Sequence, residues 1–238
     1  FLVSWMRVRP LNHLAHKFIF IKTHKTAGSS IETALAKFCT KNDVITPMES
    51  NVDSHIPRNY HGQRWLEKFY AKSRFTRKVI NRHSPLLHTW YYEHMPAVRV
   101  RDLIGKEIWD NYFKFCFERN PWDKVVSYYL WKKYGQKRRM PDFKTYIMQK
   151  SHRLPQDAQL YIDEGNVIVD RIYNFHKLAI DFSELCLQLK LPADTPLSNE
   201  KTGIKIDRSP YMDYFDEESK QKVASIYSRE IDLLKFSF

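Results

Sequence analysis

The chain has 238 residues, of which 43% are hydrophobic and 15% aromatic, so it can bury the core of a globular domain and is not a disordered segment. No apolar run reaches the roughly 18 residues that a membrane-spanning helix requires. The formal net charge is +12, and residues 61–140 hold most of the excess, with 18 basic and 7 acidic side chains. This bias predicts an anionic partner, and composition alone leaves nucleic acid, an anionic membrane, an acidic polysaccharide and a phosphorylated cofactor open.

Predicted strands alternate with predicted helices along the chain. The pattern predicts strands at 17–22, 112–118 and about 167–173, and helices at 30–39, about 63–81, 97–104, 122–134, 141–149, 178–189 and about 217–234. The polar stretch 40–60 is the candidate for an insertion. Because strand and helix alternate, we expect residues 1–238 to form one α/β domain with a central, mainly parallel sheet flanked by helices.

The cysteine pattern does not predict a disulfide framework or a zinc site. Cys39, Cys116 and Cys186 are odd in number, widely spaced and without a CxxC pair. Cys116 and Cys186 lie in apolar patterns, so we expect both to be buried thiols in a reducing compartment; the alternative is a single bridge.

The most informative segment is residues 18–32, FIFIKTHKTAGSSIE, in which an apolar run is followed by a loop of small residues and a helical pattern. The unpaired N–H groups at a helix N-terminus bind phosphate or sulfate well. Small residues let an anion approach the backbone, and Lys25 supplies a positive charge. The segment therefore predicts an anion-binding loop; the alternative is a capped helix without a ligand, because Ser29 and Glu32 have the spacing of a capping box.

This loop differs from the common nucleotide-binding motifs. A P-loop for ATP or GTP has its lysine directly after the last glycine, whereas Lys25 comes before Gly28. No GxGxxG occurs, so a dinucleotide site has no support. The sequence also shows no acidic pattern typical of a magnesium site, and we expect no metal.

A second segment, residues 113–131, is again a strand that runs into a helix. Arg119 lies at the end of the strand, Pro121 opens the helix, and Ser127 follows nearly two turns later. The Arg119 guanidinium and the Ser127 hydroxyl can bind the same phosphate. The alternative is structural, with Arg119 paired to a carboxylate and Ser127 packed within the helix.

Together the two segments resemble the PAPS-dependent sulfotransferases, in the carbohydrate sulfotransferase branch that includes bacterial relatives and heparan sulfate 2-O-sulfotransferase-like enzymes. In that family a KTAGSS-like loop binds the 5′-phosphosulfate of 3′-phosphoadenosine 5′-phosphosulfate (PAPS), and an RNPxxxxxSxY segment binds the 3′-phosphate. The first motif matches Lys25, Thr26, Ala27, Gly28, Ser29 and Ser30, and the second matches Arg119, Asn120, Pro121, Ser127 and Tyr129. The resemblance implies a P-loop-like sulfotransferase fold, PAPS as donor and 3′-phosphoadenosine 5′-phosphate (PAP) as product.

The resemblance also implies a histidine base shortly before the strand that leads to Arg119, which assigns this role to His94. An imidazole can accept a hydroxyl proton near neutral pH, while Lys25 and the loop amides would stabilise the departing phosphate. His88 is the main rival to His94, and His83 and His24 are further candidates.

Further implied contacts lie near the C-terminus, where residues 198–208 are placed to close over the nucleotide. Lys201, Thr202 and Lys205 are its candidate contacts with the 3′-phosphate or the adenine; the alternative is an ordinary exposed loop. The acceptor is expected to be a hydroxyl on an oligosaccharide or acidic glycan, which the basic segment 61–140 would suit. A lipid, a small alcohol and a protein tyrosine remain open as acceptors.

The apparent lack of a targeting segment favours the bacterial cytoplasm. The alternative is a Golgi-lumen enzyme whose membrane anchor, upstream of Phe1, has been removed.

Two other function classes remain as alternatives. A P-loop-type kinase or NTPase predicts magnesium-dependent binding of ATP. A basic nucleic-acid-binding module would use the predicted helix at about 63–81, but its aromatic residues recur near helical spacing and are more simply its buried face. We therefore expect no nucleic-acid partner.

Overall fold

The computed structural model describes residues 2–3, 16–48, 55–60, 91–197 and 209–238. Several sequence-based predictions fall outside these ranges: the basic helix at about 63–81, the rival bases His83 and His88, and the candidate nucleotide contacts Lys201, Thr202 and Lys205. These stay predictions.

The described ranges contain both strands and helices. The strands are β1 (Leu2–Val3), β2 (Phe18–Phe20), β3 (Val44–Ile45), β4 (Phe113–Glu118), β5 (Ile162–Asp163), β6 (Asn166–Val167) and β7 (Arg171–Asn174). The α-helices are α1 (Gly28–Ala36), α2 (Ala97–Ile104), α3 (Lys106–Asn111), α4 (Pro121–Leu130), α5 (Phe143–Lys150), α6 (Ala158–Tyr161), α7 (Leu178–Gln188), α8 (Glu217–Ile226) and α9 (Ser228–Leu234). A π-helical turn, Trp131–Gly135, continues α4, and short 3₁₀ turns cover Ser151–Arg153, Phe175–Lys177 and Tyr211–Tyr214.

The central sheet has the strand order β3-β1-β2-β4-β7. Strands β2, β4 and β7 are parallel, with Phe18 opposite Phe113 and Phe115 opposite Arg171. Strand β1 runs antiparallel to both β2 and β3, and β5 and β6 form a separate antiparallel pair. The predicted α/β class with a mainly parallel sheet is confirmed.

Both faces of the central strands are buried, as is typical of a parallel sheet between helical layers. Phe20 and Phe115 stack at 5.3 Å on the face that packs against α1 and α7. Ile19, Ile21 and Cys116 face a second cluster that includes α2 and α3. A third cluster joins α4, α5 and α8. The core thus fixes the ends of β2 and β4 relative to each other.

Some predicted boundaries differ from the structure. The stretch 40–60 was expected to be irregular, but Val44 and Ile45 are buried and pair at the sheet edge as β3; its role as an insertion stays a prediction. The predicted last helix is interrupted at Tyr227, whose buried hydroxyl donates to the Pro155 carbonyl at 2.7 Å. The predicted strand at 167–173 reaches the central sheet only at Arg171, because Asn166 and Val167 pair with β5 instead.

Gly28, the first residue of α1, allows a close approach by the buried Lys22 side chain. A Cβ at position 28 would lie 2.7 Å from Cγ of Lys22 and 3.0 Å from its Cε. The Lys22 ammonium is held by Glu32 at 2.8 Å and Glu93 at 2.6 Å, so the side chain cannot swing aside freely. Glycine is therefore favoured at position 28 because the Lys22 side chain packs directly against the backbone there.

We predict that Gly28→Ala lowers the free energy of unfolding by about 1–3 kcal/mol, since overpacking outweighs the better helix propensity of alanine. Denaturant unfolding measures the change. The control is the same substitution in a Lys22→Ala background, where the clash is gone and the cost should shrink. An equal cost in both backgrounds would show that Lys22 does not constrain position 28.

Candidate active site

The two predicted anion-binding segments meet at one edge of the sheet. Because β2 and β4 are parallel neighbours, the loop after β2 and the residues after β4 emerge at the same end. The contact is direct, since Nη1 of Arg119 donates to the Lys25 carbonyl at 3.0 Å. Lys25 and Arg119, which are separated by 94 positions in the sequence, therefore lie in one site.

The loop after β2 is held in a defined shape by its own residues. Lys25 and Ala27 both adopt left-handed backbone conformations, with φ of 61° and 58°. The Thr26 hydroxyl is buried and bonds to the hydroxyl of Thr23 at 2.9 Å. Thr23 in turn donates to the Phe117 carbonyl of β4. The Thr26 side chain thus secures the loop.

The start of α1 differs from the capping box that the sequence suggested. The residue before the helix is Ala27, and among the described residues no side chain caps it. Glu32 is fully buried and accepts from the Lys22 ammonium at 2.8 Å and from the Thr46 hydroxyl at 3.3 Å. The capping-box interpretation is wrong, because burying Glu32 requires a cationic partner that a backbone amide does not supply.

Small side chains lie where the helix begins. Gly28 and Ser29 are buried, and Ser30 is half-buried. The Lys25 ammonium lies 5.2 Å from the ring centroid of Trp131, within the range of a cation–π contact. Trp131 opens the π-helical turn one helical turn after Ser127, which is half-buried on α4. Lys25 therefore links the loop to the helix that carries Ser127.

Arg119 forms the structural pair that the sequence left as an alternative. Its Nε and Nη2 donate to the two carboxylate oxygens of Asp123 at 2.7 and 2.6 Å. The guanidinium carbon lies 4.3 Å from the centroid of the Phe175 ring. With Nη1 bound to Lys25, three of its five N–H bonds have described partners, which leaves one on each terminal nitrogen for an anion.

Other residues of the second motif shape the backbone around Arg119. The Asn120 side chain accepts from the Trp122 amide at 3.1 Å, and Pro121 occupies the first position of α4. The Tyr129 hydroxyl donates to the Pro141 carbonyl at 2.7 Å. These three motif residues therefore position α4.

Two histidines stack beside the loop. The rings of His24 and His94 are 3.7 Å apart and inclined by 11°. Nδ1 of His94 lies 2.9 Å from the Lys22 carbonyl, so that nitrogen carries a proton and Nε2 holds the lone pair. Burial and the neighbouring His24 lower the pKa of His94 to about 4. His94 is thus at the site and neutral at physiological pH.

Asp157 is a site residue that no sequence motif indicated. Its Oδ1 lies 2.6 Å from Nδ1 of His24, and its Oδ2 accepts from the His24 amide at 2.8 Å. The buried Lys124 ammonium contacts Asp157 at 2.8 Å and also Glu118. Burial alone would raise the pKa of Asp157, but Lys124 and His24 hold it well below its usual range. Asp157 is therefore ionised.

The low pKa of His94 predicts a pH-dependent stability. Between pH 6.5 and about 4 the unfolded chain binds a proton at this position that the folded chain does not. The free energy of unfolding should therefore fall as the pH drops through this window, by about 1–3 kcal/mol from His94. The check is denaturant unfolding of the parent and His94→Asn at several pH values. Identical pH slopes would contradict the assignment.

Within the described ranges, no group of three or more His, Cys, Asp and Glu side chains is arranged to hold a metal ion. In the same part of the chain, no helix is both long and apolar enough to cross a bilayer.

Comparisons with known proteins identify the family to which the chain belongs. An uncharacterized protein from Archaeoglobus fulgidus is 35% identical over 103 residues, which cover 42% of this chain and 86% of the relative. A sulfotransferase from Alicyclobacillus acidocaldarius, known from its crystal structure, is 14% identical, with 92% of this chain and 96% of that chain covered and a TM-score of 0.44. The model of the sulfotransferase family matches residues 13–190, which include both predicted anion-binding segments and the stacked histidines. The chain belongs to the sulfotransferase family.

Proposed function

We propose that this sulfotransferase uses PAPS as its donor and transfers the sulfuryl group to an acceptor hydroxyl. The observation that carries the proposal is the hydrogen bond from Arg119 to the Lys25 carbonyl, which brings the two anion-binding segments together. PAPS carries two anionic ends, a 5′-phosphosulfate and a 3′-phosphate. In the proposal the first end binds residues 25–30 and the second binds Arg119 and Ser127.

The chemistry follows from where charge develops. The acceptor oxygen attacks sulfur in line as the bond from sulfur to the bridging oxygen breaks, and that electron pair stays on the departing phosphate. Lys25 and the amides at the start of α1 stabilise the growing negative charge. A histidine of the stacked pair takes the hydroxyl proton. The resemblance assigns this role to His94, whose Nε2 holds the lone pair.

A run of exposed basic residues in the segment that follows Trp131 supports an acidic acceptor, which we propose to be an oligosaccharide or glycan. Lys133, Lys137, Arg138 and Arg139 are exposed and follow directly after Trp131. Among the described residues no carboxylate forms an ion pair with these four side chains. Lys133 contacts the rings of Tyr129 and Tyr134. In the proposal these exposed charges bind a polyanionic chain that enters the site.

Isothermal titration calorimetry with PAP tests the donor assignment. We expect PAP to bind without a metal, and ATP with magnesium to bind much more weakly. Tight ATP binding together with no response to PAP would overturn the proposal and favour a kinase or NTPase.

The 3′-phosphate assignment makes a prediction for Arg119. Arg119→Ala should weaken PAP binding by about tenfold or more, since hydrogen bonds to charged groups contribute about 1.5–3 kcal/mol. Asp123→Asn is the matched control, because it removes the charge that pairs with Arg119 but keeps the guanidinium. An unchanged PAP affinity in Arg119→Ala would assign the residue to structure alone.

A further inference from the structure

The two stacked histidines differ in what faces Nδ1. In His94 it faces a neutral backbone carbonyl, whereas in His24 it faces the carboxylate of Asp157 at 2.6 Å. Asp157 is 1% exposed and paired with Lys124, so it is held as an anion inside the protein. An ionised carboxylate only accepts hydrogen bonds, so Nδ1 of His24 carries the proton. Nε2 of His24 is therefore the nitrogen that can accept a second proton.

An adjacent carboxylate stabilises an imidazole that becomes positively charged, as in catalytic triads. Asp157 gives His24 this support. A positive charge on His94 would instead be opposed by the burial of its ring and by the neighbouring ring of His24. Two imidazole rings whose centroids lie 3.7 Å apart repel each other when both are protonated. Glu93, the carboxylate near His94, is 3.9 Å from its Nε2 and is already bound to Lys22 at 2.6 Å. Asp157 thus gives the His24 ring a carboxylate partner at hydrogen-bond distance, whereas the partner of the His94 ring is a carbonyl.

The position of His24 in the chain also favours a catalytic role for His24. It directly precedes Lys25, the residue proposed to stabilise the departing phosphate, and its side chain is 32% exposed despite the bond to Asp157. Among the described residues, Nε2 of His24 has no hydrogen-bond partner. A partly exposed imidazole next to the predicted anion-binding loop is well placed for an acceptor hydroxyl that meets the sulfuryl group.

We propose that His24 is the general base of the transfer, that Asp157 is its positioning residue, and that His94 supports the His24 ring by stacking. This inference rests on the proposed function. The acceptor's O–H proton passes to Nε2 of His24 while the acceptor oxygen bonds to sulfur, and the electron pair of the breaking S–O bond leaves with PAP. The general base, His24, and the residue that stabilises the leaving group, Lys25, then lie on the same loop.

A matched pair of asparagine variants tests the assignment. The amide of asparagine can replace Nδ1–H as a donor, to Asp157 in His24→Asn and to the Lys22 carbonyl in His94→Asn, while both variants lack Nε2. Asparagine also tolerates the left-handed backbone of His94, whose φ is 59°. We expect His24→Asn to lower kcat by about 10²–10⁴-fold with unchanged PAP affinity, and His94→Asn to lower it by a clearly smaller factor.

The assay measures transfer from ³⁵S-labelled PAPS to desulfated heparin, desulfated chondroitin and a neutral galactoside. Added imidazole should restore part of the turnover of His24→Asn. A parental rate in His24→Asn, or a larger loss in His94→Asn, would overturn the proposal and return the role to His94. Failure of the parent itself to bind PAP would instead contradict the proposed function.

Nitrogen-15 NMR of the histidine side chains tests Asp157 without any substrate. In the parent we expect His24 in the Nδ1–H tautomer, and Asp157→Asn should populate the Nε2–H tautomer because the amide can donate to Nδ1. A structural role alone would leave the tautomer unchanged. Loss of kcat with little change in KM should accompany the shift. An unchanged tautomer in Asp157→Asn would remove Asp157 as the positioning residue.

Discussion

Replacing Lys25 by alanine is expected to lower the rate of sulfuryl transfer by about 10²–10³-fold, which is the loss typical when one preorganised donor to a developing oxyanion is removed. The free energy of unfolding should change little. Lys25 is half-buried on the loop and its ammonium lies against the Trp131 ring, so we expect a small loss of packing.

Two lysines nearby serve as controls for Lys25. Lys37→Ala, at the exposed end of α1, should keep both rate and stability. Lys22→Ala should instead destabilise the fold, because buried Glu32 loses its ammonium partner. Single-turnover kinetics and denaturant unfolding on the three variants separate the roles. A full rate in Lys25→Ala would contradict its place at the leaving group.

The largest expected effect on stability belongs to Lys124. Its ammonium is fully buried between Asp157, at 2.8 Å, and Glu118. Burial alone would lower the pKa of Lys124, but the two carboxylates raise it, so the ammonium stays charged. Lys124→Met should lower the free energy of unfolding by about 3–5 kcal/mol, because two buried carboxylates lose their common partner.

Denaturant unfolding measures the loss in Lys124→Met, with Lys144→Met as the matched control. Lys144 also contacts two carboxylates, Asp216 at 2.6 Å and Glu218 at 3.0 Å, but on the surface, where solvent screens the pair. A second substitution, Glu118→Gln, should recover part of the stability in the Lys124→Met background. A small loss in Lys124→Met, equal to that of the surface control, would show that the network does not hold the fold.

The elements around the proposed donor site were predictable because their signals are local. A short apolar run before small residues predicts a strand, a loop and a helix, and Phe18–Phe20 and Gly28–Ala36 follow that order. Arg119 at the end of β4 and Pro121 at the start of α4 are local in the same sense. Parallel pairing of β2 with β4 then brings both loops to one edge.

The charged partners could not be predicted because they are set by tertiary packing. Asp157 is 133 residues from His24, and nothing around it in the sequence forms a motif. Glu32 had the spacing of a capping residue, but the approach of Lys22 buries it. The break of the last helix at Tyr227 likewise depends on a contact with Pro155, which lies 72 residues earlier.

The most direct test of the central claim is sulfuryl transfer from ³⁵S-labelled PAPS to a panel of acidic glycans, neutral sugars, lipids and phenols. We predict label on a hydroxyl acceptor together with an equal amount of PAP, in the absence of added metal. Transfer should be greatest to an acidic glycan and should weaken with rising salt, as expected if the basic surface after Trp131 holds the acceptor. A parent protein that binds neither PAPS nor PAP, and labels no acceptor in the panel, would contradict the assignment.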